Sequence, residues 1–250
     1  MTELLLISGA FFAGLVGGFL GLGGGVILVP FLSLVISLPM HQAVALSLAT
    51  IMANSLVSST EYLRKDMVDL RLVILLSIFA SVGAVAGSIL GKYAPENYLQ
   101  VAFSLMLAYT TYSILKKKDG AVPERKSGHE PNIWAVGLIA LLAGILSSML
   151  GIGGGVLIIP AAYLIFNYPM NIARGSSAFT IGIIATTGSV VYFVQGILNV
   201  ESAGQIMLGT IAGGWLGSWL GTRAKSNVVK AVFSLLLIYL AIKMFLQGIA

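Results

Sequence analysis

Residues Leu20–Val26 read Leu-Gly-Leu-Gly-Gly-Gly-Val, and 130 positions on, Leu150–Val156 read Leu-Gly-Ile-Gly-Gly-Gly-Val. The overlap runs far beyond this run: Gly14 to Leu115 lies over Gly144 to Phe245 without a gap. Pro30 meets Pro160, Pro39-Met40 meets Pro169-Met170, and Ser47 and Thr50 meet Ser177 and Thr180. Gly83, Gly87, Ser88 and Gly91 meet Gly213, Gly217, Ser218 and Gly221. Glycine and proline positions record backbone geometry, so their coincidence marks a duplicated fold rather than shared composition. Whatever the chain builds, it builds twice.

Both copies are apolar. Hydrophobic residues make up 58% of the chain and charged residues 9%, with a mean hydropathy of +0.98. A water-soluble domain carries about 25% charged residues, so this chain is read as dissolved in lipid. Thirty glycines suit membrane helices, which use small residues to approach closely. The net charge of +5 does not indicate nucleic acid, because the Lys and Arg residues sit in short loops between apolar stretches. There is no Cys, and His41 and His129 are the only histidines. Disulfides and thiol chemistry are therefore excluded, a histidine metal centre is not expected, and no cofactor is implied. The start, MTELLLISGA, lacks a basic n-region and reads as a first membrane segment rather than a signal peptide.

Each half divides into five apolar stretches, at 4–20, 25–37, 43–60, 70–91 and 97–115, then 133–150, 155–167, 173–195, 202–221 and 228–247. The second stretch of each half is too short for a perpendicular crossing and contains a proline, Pro30 or Pro160. A broken or re-entrant helix is expected there. The fold class is thus an all-α polytopic membrane protein with about eight to ten membrane segments. Its parts are a first repeat at 1–117, a hydrophilic linker at 118–131 and a second repeat at 132–250.

Charge orients the two repeats. Lys and Arg collect in cytoplasmic loops, and the hydrophilic run 116–131 is rich in them. With that run inside and the first two stretches of each repeat returning to one side, Arg64, Lys65, Arg71, Arg174, Arg223, Lys225 and Lys230 also fall inside. Only Lys92 and Lys243 fall outside, as do Glu201 and both termini. The walk makes the repeats opposite in orientation, a pattern of secondary transporters whose site lies where the repeats meet. An inner-membrane location follows from that reading.

The candidate site is drawn from the doubled motif. Gly21, Gly23, Gly24 and Gly25, with Gly151, Gly153, Gly154 and Gly155, permit unusual torsions and close approach. Each cluster precedes a short helix whose first amides are unpaired and carry partial positive charge. Two facing copies would hold an anion without a full buried charge. A single glycine run would be read as helix packing; duplication beside a half-length helix reverses that weighting. The third stretches add Ser47, Thr50 and Asn54 in one copy and Ser176, Ser177 and Thr180 in the other. Helical spacing places such groups on one face, where they could donate to oxyanion oxygens or bond the carbonyl one turn back.

The remaining polar residues read more plainly. Arg174, at the cytoplasmic entrance, either gathers anions or anchors to headgroups. His41 reads as a solvated loop residue, Glu61 as a partner for Arg64 or Lys65, and Trp134, Trp215 and Trp219 as interface anchors. No Asp or Glu falls in the middle of an apolar stretch, so coupling through a buried carboxylate is not expected. GLGGGV lacks the Lys-Ser/Thr of a phosphate loop, and no acid/base pair lies within the spans.

At GLGGGVILVP and GIGGGVLIIP, and at ALSLAT and GSSAFT after the Pro-Met turns, the chain resembles the TauE/SafE family of sulfite and organosulfonate exporters. The resemblance covers nearly the whole chain and implies a permease for small anions such as sulfite, sulfoacetate or related sulfonates. It carries site roles onto the glycines named above and onto Ser47, Thr50, Ser177 and Thr180. Leu46 stands where the second repeat has Ser176, so that hydroxyl is not paired. The expected function is a secondary transporter working by alternating access. The alternatives are an anion channel built from the same elements, or, from another class, a membrane-embedded enzyme or assembly subunit. Its partners are a small anionic substrate and the lipid bilayer, and a homo-oligomer is compatible with the sequence.

Overall fold

The computed structural model describes residues 2–116 and 133–224, together with single helical residues between 231 and 246. The linker at 118–131 and much of the stretch at 228–247 lie outside the described residues. Those up to 224 form nine α-helices and no strand: α1 (Thr2–Leu20), α2 (Gly25–Pro30), α3 (Met40–Leu63), α4 (Leu70–Tyr93), α5 (Glu96–Lys116), α6 (Ile133–Leu150), α7 (Gly155–Pro160), α8 (Met170–Val194) and α9 (Val200–Gly221). Helices α3, α4, α6 and α8 are each long and apolar enough to cross a membrane. The chain is an all-α polytopic membrane protein.

Local chemistry sets the boundaries, and it does so alike at positions 130 apart. Gly21 (φ 75°) and Gly151 (φ 70°) end α1 and α6 in the left-handed region. The amide of Leu22 then donates back to Gly17 O at 2.8 Å, and Ile152 donates to Ser147 O at 3.1 Å. Pro30 and Pro160 lack an N–H, and the helices beyond them widen into π-helical turns at Phe31–Val35 and Ala161–Ile165. Ser37 and Asn167, both at positive φ, release the chain from these turns. Pro39 and Pro169 then precede α3 and α8, which start at Met40 and Met170, three residues before the apolar stretches do. Asp69 caps α4 by accepting from Leu72 N at 3.1 Å, and Asn199 caps α9 by accepting from Ser202 N at 3.1 Å.

Packing then mixes the two halves. Helix α1 lies along α9, α6 lies along α4, and α3 crosses α8 at the centre. Glycines make the first two contacts possible. A methyl on Gly213 or Gly217 of α9 would overlap Phe11 O or Leu15 O of α1, and one on Gly83 or Gly87 of α4 would overlap Leu141 O or Ile145 O of α6. Lipid gives no hydrophobic drive between helices, so such backbone-to-backbone approach supplies the attraction instead. Helix α3 is the most enclosed of the four spans. Trp134 (79% exposed) and Trp215 (57%) face outward, consistent with anchors.

Candidate functional site

The two glycine turns, 130 residues apart in sequence, meet at the centre of the bundle. Gly24 (φ 93°, ψ −11°) and Gly154 (φ 92°, ψ −12°) cap α2 and α7 in the same left-handed conformation, which side chains tolerate poorly. Their carbonyls accept from the helices they open: Gly24 O from Ile27 and Leu28 at 3.1 and 3.0 Å, Gly154 O from Leu157 and Ile158 at 3.0 and 2.9 Å. The amides of Gly23, Gly24, Gly153 and Gly154 find no backbone acceptor among the described residues. All of Gly21–Gly25 and Gly151–Gly155 are buried.

Each turn touches the other half of the chain. A Cβ on Gly25 would overlap Gly151 O, and one on Gly155 would come within 3.0 Å of Leu22 Cα. Ser47 of α3 holds the second turn to the first half by donating to Gly151 O at 2.7 Å. Two isoleucines lie against both turns. From a Cβ on Gly23, Ile51 Cγ2 is 2.6 Å and Ile181 Cγ2 3.1 Å away; from one on Gly153 the distances are 3.0 and 2.6 Å. Ile51 and Ile181 therefore occupy the space beside the facing turns. The site is closed in this conformation.

Most of the hydroxyl donors on α3 and α8 are engaged within the protein. Thr50 donates to Ser47 O at 2.8 Å and Thr180 to Ser176 O at 3.0 Å, the bond one turn back. Ser176 Oγ accepts from Asp69 N at 2.9 Å. Asn54 donates to Gly23 O at 2.8 Å and to Gly14 O at 3.5 Å, holding the first turn onto α3. In the second half that position is Ile184, whose Cδ1 would lie 3.1 Å from a Cβ on Gly154. Ser177 Oγ is buried and has no hydrogen-bond partner among the described residues.

Three readings of single residues are corrected. Arg174 neither faces the headgroups nor stands open at an entrance: it is 0% exposed, donating to Phe19 O and, at 2.8 Å, to Tyr62 Oη. The cause is that α8 begins at Met170, which places Arg174 inside the helix and against α1 and α3. His41 is not a solvated loop residue. It lies in the first turn of α3, with Nδ1 3.7 Å from Glu96 Oε1 and Nε2 3.1 Å from Ala94 O, while Glu96 also accepts from Met40 N at 2.8 Å. Glu61 makes no ion pair among the described residues.

Sequence reasoning missed two pairs. Ile51 and Ile181 line the turns, while Tyr62 and Tyr192 clamp them from outside. Tyr62 Oη donates to Gly18 O at 2.9 Å and Tyr192 Oη to Ser148 O at 3.2 Å, near the ends of α1 and α6. Both pairs are 130 residues apart, so the duplication carried the signal; their ordinary chemistry in an apolar chain hid it. Two clefts flank the site. One of about 240 Å³, between α3 and α8, is lined by Met52, Ser55, Ser59, Gly182 and Thr186 among others. Another, of about 560 Å³, opens beside Asp69, Arg71, Tyr168 and Ile172.

A bundle of apolar helices packed around two paired, broken segments defines a multi-pass membrane protein. The family described as sulfite exporter TauE/SafE matches residues 6–244, and the chain belongs to that family of membrane transporters. It is 29% identical to the probable membrane transporter protein YunE of Bacillus subtilis, over 100% of this chain and 99% of that protein. It is also 30% identical to a probable membrane transporter protein of Haemophilus influenzae, over 98% of each. A similarly described protein of Xylella fastidiosa matches at 30%, over 97% of this chain and 95% of its own length. No solved structure matches.

Proposed function

We propose that this transporter moves a small anion, of the sulfite, sulfoacetate or organosulfonate class, by alternating access. The anion is held by the amides of the two glycine turns. The observation that carries the reading is the meeting of the turns: buried amides without backbone acceptors, supplied from both halves of the chain to one place. Amide dipoles suit this task in lipid, where they present partial positive charge without a mobile ion. The family description supports the substrate class.

The repeats are inverted: α1 on α9 and α6 on α4 are contacts that a two-fold axis relates, and the distribution of Lys and Arg favours an axis in the membrane plane. The run 116–131 is cytoplasmic and both termini are outside, by the distribution of Lys and Arg. Ile51 and Ile181 fill the space beside the turns, as the occluded state of a carrier requires. Movement of α3 against α8 withdraws them and admits substrate from one side at a time. Proteoliposomes loaded with unlabelled sulfite are expected to accumulate labelled sulfite transiently, with saturable kinetics. Flux that rises linearly with concentration and shows no counterflow would refute the carrier.

A further inference from the structure

Arg174 is the fully buried cation of the described structure, and its charge is not balanced there. One guanidinium nitrogen donates to Phe19 O and to Tyr62 Oη, and the guanidinium carbon lies 5.9 and 5.5 Å from the centres of those two rings. These neutral partners satisfy hydrogen bonds without cancelling a charge. No carboxylate lies within 4.0 Å among the described residues, and Nε is buried with no acceptor. Three residues along the same helix, the buried hydroxyl of Ser177 is also without a partner among the described residues. Two unsatisfied donors thus sit one turn apart on α8.

The fold itself does not require the charge. At the equivalent place in the first half stands Val44, whose Cα would be 2.9 Å from a Cβ on Gly151. Arg174 packs against Gly21 in the corresponding way, with its carbonyl oxygen 2.7 Å and its Cβ 3.2 Å from the same construction. Valine therefore does this packing work, and the guanidinium is an addition. A further polar departure from symmetry, Asn54 in place of Ile184, also acts on the first turn, through Gly23 O. These two departures both act at Gly21–Gly24.

We propose that Arg174 and Ser177 form an anchoring subsite for the oxyanion head of the substrate, beside the first glycine turn. The guanidinium supplies the one full positive charge, and the Ser177 hydroxyl supplies a directed donor. The inference rests on the anion reading above and makes the site lopsided, with one head-group end. It also sets the selectivity: a sulfonate, sulfite or carboxylate head is accepted, while cations and neutral solutes are refused. A monoanionic head such as a sulfonate leaves the loaded site neutral while the empty one is positive, so reorienting the empty site within the bilayer costs more. Exchange is therefore faster than net transport.

The test measures melting of the purified full-length protein in detergent against sulfite, methanesulfonate and acetate, at constant ionic strength set with chloride. The wild type is expected to show a saturable shift. Arg174→Gln should show none up to about 100-fold the wild-type half-saturation, and should be no less stable without ligand, since an unbalanced charge has gone. Ser177→Ala should keep its ligand-free melting temperature and bind about tenfold more weakly. Arg174→Lys should bind detectably but more weakly, having the charge without the planar fork. If Arg174→Gln does not fold, the last two variants carry the test, and wild-type binding by both overturns the inference. Wild-type binding by Arg174→Gln overturns it as well. Gly154→Leu, run in parallel, separates the two proposals. If Gly154→Leu binds normally while Arg174→Gln does not, the glycine reading fails and the subsite stands; the reverse spares the glycine reading alone. A wild type shifted by no anion refutes the anion reading and the subsite with it.

Discussion

Gly25→Ala is expected to lower sulfite counterflow by roughly 100-fold while the protein remains folded in the membrane. Gly25 lies at the start of α2, and its φ is not positive, so the alanine is not strained by its own backbone. The damage comes from across the interface. The new methyl would overlap Gly151 O and would lie 2.5 Å from Ile51 Cδ1 and 2.8 Å from Ser47 Oγ. A carbonyl in a turn cannot rotate away as a side chain can, so the two turns must part and the Ser47 to Gly151 bond must lengthen. A cost of about 3 kcal/mol is the ordinary scale for such overpacking. Borne by the loaded site, it lowers flux by roughly 100-fold. Gly155→Ala is the matched comparison. It meets Ile181 Cδ1 at 2.6 Å and Leu22 Cδ2 at 2.9 Å, the ends of side chains that can shift, with Leu22 Cα at 3.0 Å. Its loss should be smaller, and equal flux in wild type and Gly25→Ala would break the account.

Asn54→Leu should damage stability and transport together. Asn54 Nδ2 donates to Gly23 O, and its Oδ1 accepts from Ser58 Oγ at 3.3 Å. A Cβ on Gly214 of α9 would fall on that same Oδ1, so the amide also fills the gap between α3 and α9. Leucine keeps the bulk but leaves a buried carbonyl and a hydroxyl short of a partner, at about 2 kcal/mol. For a chain of this size the melting temperature should fall by roughly 4–8 °C. The first turn, released from α3, should also hold its anion less well. A variant with unchanged melting and unchanged flux would reduce Asn54 to a bystander.

These two expectations differ in how far the sequence alone could reach them. The torsions at Gly21, Gly24, Gly151 and Gly154, the half-helices ending at Pro30 and Pro160, and the shared face of Ser47, Thr50 and Asn54 follow from residue type and spacing. Those properties are local. The partners are not: spacing cannot tell whether Thr50 points to an anion or to Ser47 O, and in the structure it is the carbonyl. Arg174 misled because a cation near a helix start ordinarily reaches for headgroups, and only the fold brings Phe19 and Tyr62 around it. The isoleucine pair was hidden differently. Ile51 and Ile181 obey the same 130-residue offset as the glycines, but in a chain so apolar a matched isoleucine carries little information.

The chain contains no cysteine, so a single introduced thiol reports on one place. Cysteine at Ile51 or Ile181, the residues lying against both turns, can be alkylated with N-ethylmaleimide in membranes with and without saturating sulfoacetate. Leu208, 69% exposed on α9, serves as a distant control position. If the facing turns hold the anion, sulfoacetate slows labelling at both inner positions and leaves Leu208→Cys unchanged. Equal labelling rates with and without the anion at Ile51→Cys and Ile181→Cys would contradict it.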